Sequence, residues 1–251
     1  MKEAKTLAWV NMYGILGCLE DLCRFSVEAQ ALASGKPTAI SFEVSNGPSM
    51  TLRFKDGACA VEPGAGPCNI RLPFSDCEKF NSMINGTYTP FPAKGFARLG
   101  FLTKNFIRLT KILQTYLRAK PEDLANSSFF HASTVTMFHL ITRTVSQIGN
   151  NDTIGRFSAS HIVDGTVVLS VGGNLQAAIT AKDHRLTTSR VIPEKFHAIM
   201  EFADLKLARD VFEGKANTMG CVGAGLITMR GNLSMLDNIN RILNRVAIYL
   251  A

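Results

Sequence analysis

Apolar positions change their period several times along the chain, and each change marks an element. From Trp9 through Met12, Leu16, Leu19, Leu22 and Cys23 to Leu32 they recur at helical spacing, which predicts an amphipathic helix ending at Gly35-Lys36-Pro37. Alternation then predicts strands at 39–44 and 50–54. The first is closed by Asn46-Gly47-Pro48 and the second by Asp56-Gly57, a hairpin signal because both residues tolerate positive φ. Further strands are expected at 58–61 and 69–72. Ser75 and Glu78 read as a capping box for a short helix that Gly86 terminates. A last strand is expected at 96–101 and a helix at 103–117.

The second half follows the same plan. A helix is expected at 129–148 by analogy, against the preference of Thr134, Val135, Thr136, Thr142 and Val145. Three or four strands fall between 155 and 191, with turns at Asp164-Gly165 and Gly172-Gly173-Asn174. A strand at 198–202, a helix from Asp204 to Gly214, a strand at 226–230 and a final helix capped by Ser234 and Asp237 complete it. Particular residues recur as well. Phe74-Ser75-Asp76, nine residues and Gly86 return as Phe202-Ala203-Asp204, nine residues and Gly214. The pair Gly95 and Gly100 is matched with Gly225 and Gly231, and Lys111-Ile112-Leu113 with Arg241-Ile242-Leu243. A period of roughly 128 positions is far longer than a solenoid repeat of about 20 to 50, so it implies a duplicated domain. The predicted organisation is α+β: two domains, residues 1–120 and 129–251, joined by the polar linker 121–128, each a mostly antiparallel sheet with helices packed on one face.

Composition narrows the class. With 46% hydrophobic and 19% charged residues in 251, the chain is expected to fold, and no stretch approaches the roughly 20 apolar residues of a membrane span. The net charge of +7 is spread over both halves rather than gathered in an arm, which argues against nucleic acid as partner. Lys2 and Lys5 before an apolar stretch ending at Cys18 resemble a leader, but Asn11 and Gly14 interrupt it and the helical period runs past it. Six cysteines without a Cys-x-x-Cys pair read as reduced, half-buried thiols of a cytosolic protein, with no metal site.

Asp204, the turn Phe212-Glu213-Gly214-Lys215-Ala216 and the run Gly225-Leu226-Ile227-Thr228-Met229-Arg230-Gly231-Asn232 carry a family likeness. Followed by the Leu-rich helix from Ser234, they make residues 203–243 similar to the sterol carrier protein (type two) family. The first half departs from that pattern. Gly86 lacks the following lysine, Thr89-Pro90-Phe91-Pro92 replaces a helical stretch, and Gly95 to Gly100 is one residue short. The resemblance implies an apolar tunnel between sheet and helices, holding a fatty acid, acyl-CoA, sterol or isoprenoid chain. It implies no catalytic residue and no cofactor.

On the last helix, Leu236, Ile239, Ile242, Leu243, Val246 and Leu250 share one sector, opposite Asp237, Asn240, Arg241, Asn244 and Arg245. Such a stripe is by itself the mark of an ordinary core face. Val211, Phe212, Met219, Cys221 and Val222, set among Gly220 and Gly223, add the adaptable surface that a chain-like guest needs. In the first half Lys104, Arg108, Lys111 and Arg118 share a helix face, and from Lys79 to Pro121 there are eight basic residues and no acidic one. That face is either solvated or a contact for anionic headgroups. There is no nucleophile elbow, phosphate loop or His-Glu-x-x-His pattern, and the five histidines are scattered, so no enzyme is expected. The expected function is non-covalent binding of an apolar lipid in the tunnel of the second half, with its transfer as the further step. The alternative is an accessory or scaffold protein that presents a lipid substrate to a partner enzyme.

Overall fold

The computed structural model describes residues 2–250. They form two compact units, Lys2–Ala132 and the residues from Ser133 onward.

The first unit opens with a long helical run of changing pitch: α1 (Ala4–Trp9), a π-helical turn (Val10–Ile15), a 3-10 turn (Leu16–Cys18) and α2 (Leu19–Phe25). Met12, Leu16, Leu19 and Leu22 are buried along it, as the helical period requires. The expected single helix is interrupted at Ser26, whose extended backbone ends α2. Its hydroxyl accepts the Ala29 N–H and so starts α3 (Val27–Ala33).

The sheet holds β1 (Thr38–Val44), β2 (Ser49–Lys55), β3 (Ala58–Pro63) and β4 (Ile70–Phe74) in the order β3-β2-β1-β4. Both hairpin pairings are antiparallel and β1–β4 is parallel. Asp56 and Gly57 make the β2–β3 turn at φ 51° and 80°. α4 (Cys77–Ile84) follows, but Ser75 is not its cap. The Asp76 carboxylate accepts the Lys79 N–H at 2.8 Å, while Ser75 donates to Asp76.

The strand expected at 96–101 is not formed. Past Pro90 and Pro92, which have no N–H to give a ladder, the isolated bridge between Arg71 and Lys94 is all the pairing this stretch has among the described residues. Gly95 then adopts φ 107°, and the chain continues as a 3-10 turn (Phe96–Arg98), a π-helical turn (Phe101–Phe106) and α5 (Ile107–Leu117). The reason is steric. A Cβ on Gly95 would lie 2.4 Å from the Asn69 carbonyl oxygen, just as one on Gly231 would lie 2.2 Å from that of His197. Gly95 therefore occupies the place of Gly231, not of Gly225 with which spacing aligned it, and a helix follows each.

The segment 121–128 contains α6 (Pro121–Leu124), and α7 (Ser127–Asn151) begins before it ends. The division between the units falls within α7, after Ala132. α7 is helical despite its β-branched residues because its apolar face, with Val135, Phe138, Ile141, Val145 and Ile148, is buried, and its hydroxyls are satisfied locally. Thr142 donates to the His139 carbonyl at 3.1 Å and Ser146 to that of Arg143 at 2.8 Å. The Asn150 side chain both donates to and accepts from the main chain of Leu186, each at 2.8 Å.

α8 (Thr153–Ser160) occupies residues where strands were expected to start. The sheet comprises β5 (Gly165–Val171), β6 (Leu175–Lys182), β7 (Arg185–Ser189), β8 (Ala198–Phe202) and a fifth strand, β9 (Ile227–Gly231). Between β8 and β9 come α9 (Leu205–Phe212) and the short α10 (Thr218–Gly223), and α11 (Leu233–Leu250) closes the chain. The order is β7-β6-β5-β8-β9, with β5–β8 parallel and the other pairs antiparallel. Asn232 caps α11 through the Met235 N–H; Asp237, expected as a cap, instead pairs with Arg241 at 3.0 Å. The central strands β1 and β5 are buried almost throughout, so both their faces are covered, whereas β4 and β8 alternate.

The glycine contact makes a direct prediction. Gly231→Ala forces both a positive φ and a main-chain clash, and should destabilise by about 2 kcal/mol or more. Gly86→Ala, whose Cβ meets nothing within 4 Å, carries only the left-handed penalty of about 1 kcal/mol. Urea unfolding of both variants followed by circular dichroism checks the ranking, and equal losses would refute the steric account.

Candidate functional site

In the second unit the site is assembled from α9, α10 and α11. Asp204 caps α9 through the Leu207 N–H at 2.8 Å, and Gly214 at φ 72° ends it with paired bonds from Gly214 N to the Val211 carbonyl and Lys215 N to that of Asp210. This termination aims Phe212 at the core, where its ring lies 6.3 Å from Phe138 and 5.6 Å from Phe202. Val211 and Val222 are half-buried alongside. One turn back, Arg209 is buried and its charge is satisfied: Nε pairs with Glu213 at 2.8 Å and Nη1 donates to the Ser133 hydroxyl at 2.9 Å. Lys215 reaches the same Glu213 carboxylate.

α10 is thinly packed. Asn217 caps it, Cys221 is its one buried residue, and Met219 is 68% exposed. A Cβ at Gly223 or Gly225 would meet nothing within 4 Å. The stripe on α11 is the opposite: Leu236, Ile239, Ile242 and Val246 are buried and Leu243 half-buried. Ile242 sits where a Cβ on Gly149 would be 3.4 Å from it and 2.4 Å from Leu186, beside β7. Phe212 sits beside β8. In the order β7-β6-β5-β8 these strands are three spacings apart, on the order of 14 Å. The residues chosen from sequence thus line a broad apolar layer with one loosely covered edge, and Met219 stands outside that layer.

A polar group that sequence reasoning missed holds α11 in place. Asp152 is fully buried at the N-cap of α8, accepting the Gly155 N–H at 2.8 Å. Arg245 grips its two oxygens, each at 2.7 Å, and the Tyr249 hydroxyl donates to the same carboxylate. Burial pushes the Asp152 carboxyl up, but the hydrogen bonds from Arg245, Tyr249 and the Gly155 N–H outweigh it and hold the group below the usual aspartate range. The one local signal was the spacing of Arg245 and Tyr249, one turn apart on α11.

In the first unit, Phe106, Leu109 and Leu113 form the buried face of the α5 region, and Lys104, Arg108 and Lys111 are exposed. Arg108 is engaged with Glu28 of α3 at 2.7 Å. Lys104 and Lys111 have no ion-pair partner among the described residues. The histidines do local work: His197 Nδ1 accepts the Thr166 N–H at 3.1 Å, His161 meets the Phe157 carbonyl at 2.8 Å, and His184 forms the β6–β7 turn at φ 61°. Among the described residues no helix is long and apolar enough to cross a membrane.

No family model and no curated protein matches the chain. Among solved structures it is similar to the sterol carrier protein domain 2 of Helicoverpa armigera, with 19% identity, 51% of this chain and 93% of that one covered, and a TM-score of 0.36. It is also similar to the conserved hypothetical protein TT1886 of Thermus thermophilus, with 16% identity, 43% and 85% covered, and a TM-score of 0.31. A third similarity, to the sec-alkylsulfatase Pisa1 of Pseudomonas sp., has 14% identity, 57% and 28% covered, and a TM-score of 0.25.

The Asp152 cluster sets a pH limit on the second unit. Its folded-state pKa is depressed, so its stabilisation is present above the unfolded value of about 3.9 and is lost as the pH falls through the folded one. The protection of the α11 amides, the ratio of intrinsic to observed exchange rate, should therefore fall in acid. Asp152→Asn keeps a cap but strands the Arg245 charge, and should destabilise by about 3 kcal/mol at neutral pH while flattening that acid dependence. An unchanged acid limb in this variant would assign the effect to other carboxylates.

Proposed function

We propose that the chain is a tandem pair of sterol-carrier-like domains, arisen by duplication, and that its second unit binds an apolar lipid chain without chemistry on it. The supporting observation is the uneven cover of one apolar layer. The stripe of α11 is closed, while the neighbouring α10 segment leaves Met219 and open glycines at the layer's edge. A guest entering there would displace weakly held contacts and bury methylenes at about 0.8 kcal/mol each. Fatty acid, acyl-CoA, sterol and isoprenoid chains all fit this logic. The first unit, with its exposed Lys104 and Lys111, is proposed to contact anionic headgroups from which the lipid is loaded.

The second reading is the accessory protein with a filled interior, cytosolic like the first and presenting lipid to a partner enzyme. It is favoured by one fact: Leu236, Ile239 and Ile242 are as buried as any ordinary core residue.

Native mass spectrometry of the freshly purified protein separates the two. Binding predicts co-purified lipid and displacement of a fluorescent fatty acid; a chain that is empty and ignores the probe supports the filled scaffold. Leu243→Trp, at the half-buried end of the stripe, should weaken the probe's affinity at least about tenfold through lost volume. Lys104→Gln with Lys111→Gln should leave that affinity unchanged. It should weaken sedimentation with phosphatidylserine-containing vesicles about tenfold at low salt and less at high salt.

A further inference from the structure

The segment from Phe91 to Phe106 carries two sets of aromatic side chains, and they point to opposite destinations. Phe101 and Phe106 turn inward: Phe101 lies 5.2 Å from Phe54, and Phe106 lies 5.8 Å from Phe42. Phe91 and Phe96 turn outward. Their rings contact each other at 5.8 Å, yet they remain 74% and 57% exposed. The core does not need them, because its aromatic cluster is already complete without them.

Cations follow this exposed pair along the chain. Lys94, whose ammonium also donates to the Cys68 carbonyl at 3.0 Å, and Arg98 flank Phe96 in sequence, and Lys104 and Lys111 are exposed on the helix beyond with Ile107, which is 45% exposed, between them. No acidic residue occurs between Lys79 and Pro121. Glu28, which reaches this helix from α3, is neutralised by Arg108. Pro90 and Pro92 stiffen the segment that presents Phe91, so holding the ring outward costs little further ordering.

We propose that Phe91, Phe96 and Ile107 enter the interfacial layer of an anionic bilayer while Lys94, Arg98, Lys104 and Lys111 meet its headgroups. Apolar side chains beside lysines and arginines are what an interfacial element presents, with rings among the acyl-chain ends and ammonium groups at the phosphates. Single-stranded nucleic acid also pairs with basic and aromatic surfaces, but it needs open ring faces for stacking. Here the two rings pack against each other at an interplanar angle of 56°, and the third apolar residue is aliphatic. Membrane insertion therefore fits better.

This inference rests on the docking role proposed for the first unit, and the two fail separately. The probe is a set of phosphatidylcholine vesicles with and without phosphatidylserine. The parent should sediment with the anionic vesicles only. Phe91→Ser with Phe96→Ser should weaken that binding about tenfold, and the loss should persist at high salt, where a purely electrostatic contact has already gone. As a gain-of-signal readout, Phe91→Trp in a Trp9→Phe background should blue-shift on anionic vesicles and be quenched by brominated acyl chains. Both exposed phenylalanines lie outside the core, and an unchanged thermal melt confirms that the variants fold. If the serine pair sediments like the parent, or the tryptophan stays solvent-like on bound vesicles, insertion is overturned while charge docking stands. A parent that ignores anionic vesicles overturns both. Preferential binding of a single-stranded oligonucleotide, lost with the same phenylalanines, overturns the membrane assignment in favour of nucleic acid.

Discussion

Each unit turns on one contact in which a side chain has no room. Gly95 lies against the residue that precedes β4, and Gly231 against the residue that precedes β8. Any Cβ at either position would overlap a carbonyl oxygen, so the main chain can pass this close to the sheet edge only with glycine. Both glycines have positive φ, and after each the chain turns helical: through a 3-10 and a π-helical turn into α5 in the first unit, and directly into α11 in the second. The proposed headgroup face of the first unit and the apolar stripe of the second therefore descend from equivalent launching points. The direction of each helix, and hence which residues it buries, is set by that turn.

What was legible in the sequence was what depends on neighbours in sequence. Alternation located the strands, Asp56-Gly57 located a hairpin, and the aspartate-to-glycine spacing located α4 and α9. The β6–β7 hairpin escaped because Asp183 and His184 adopt positive φ without a glycine to announce it. The strand expected at 96–101 failed because glycine spacing was matched to Gly225, whereas steric contact matches Gly95 to Gly231. α10 escaped because a helix of six residues with glycine at two positions has no period to detect.

The candidate site was half visible for the same reason. Periodicity identified the stripe of α11 and the cationic side of α5, because each is a property of a single helix. It did not reveal that Arg108 is bound to Glu28, nor that Asp152 joins Arg245 and Tyr249, for those partners are far apart in sequence. Charges on an exposed helix face look interchangeable until the fold decides which are already satisfied. Phe91 and Phe96 were hidden differently. Nothing in the sequence around them separates the outward pair from Phe101 and Phe106; only the fold, which leaves Phe91 and Phe96 exposed, does so.

A cavity for a flexible guest faces a physical conflict, because the apolar surface that attracts the guest also drives the empty protein to collapse. On the proposed lipid-binding reading, the second unit divides this conflict between the two ends of its apolar layer. Toward the C-terminal end of α11, Asp152 accepts one hydrogen bond from Arg245, with which it also forms an ion pair, and one from Tyr249, ties that are charge-assisted or buried and strongly resist separation. Along the other edge, α10 is held by one buried cysteine and a capping asparagine, and its glycines have no side chains to anchor it. Local opening follows the weaker contacts, since segments with few buried contacts open at a small fraction of the global free energy. On that reading the polar clamp does more than stabilise α11: by keeping one edge shut, it would leave α10 as the edge that yields.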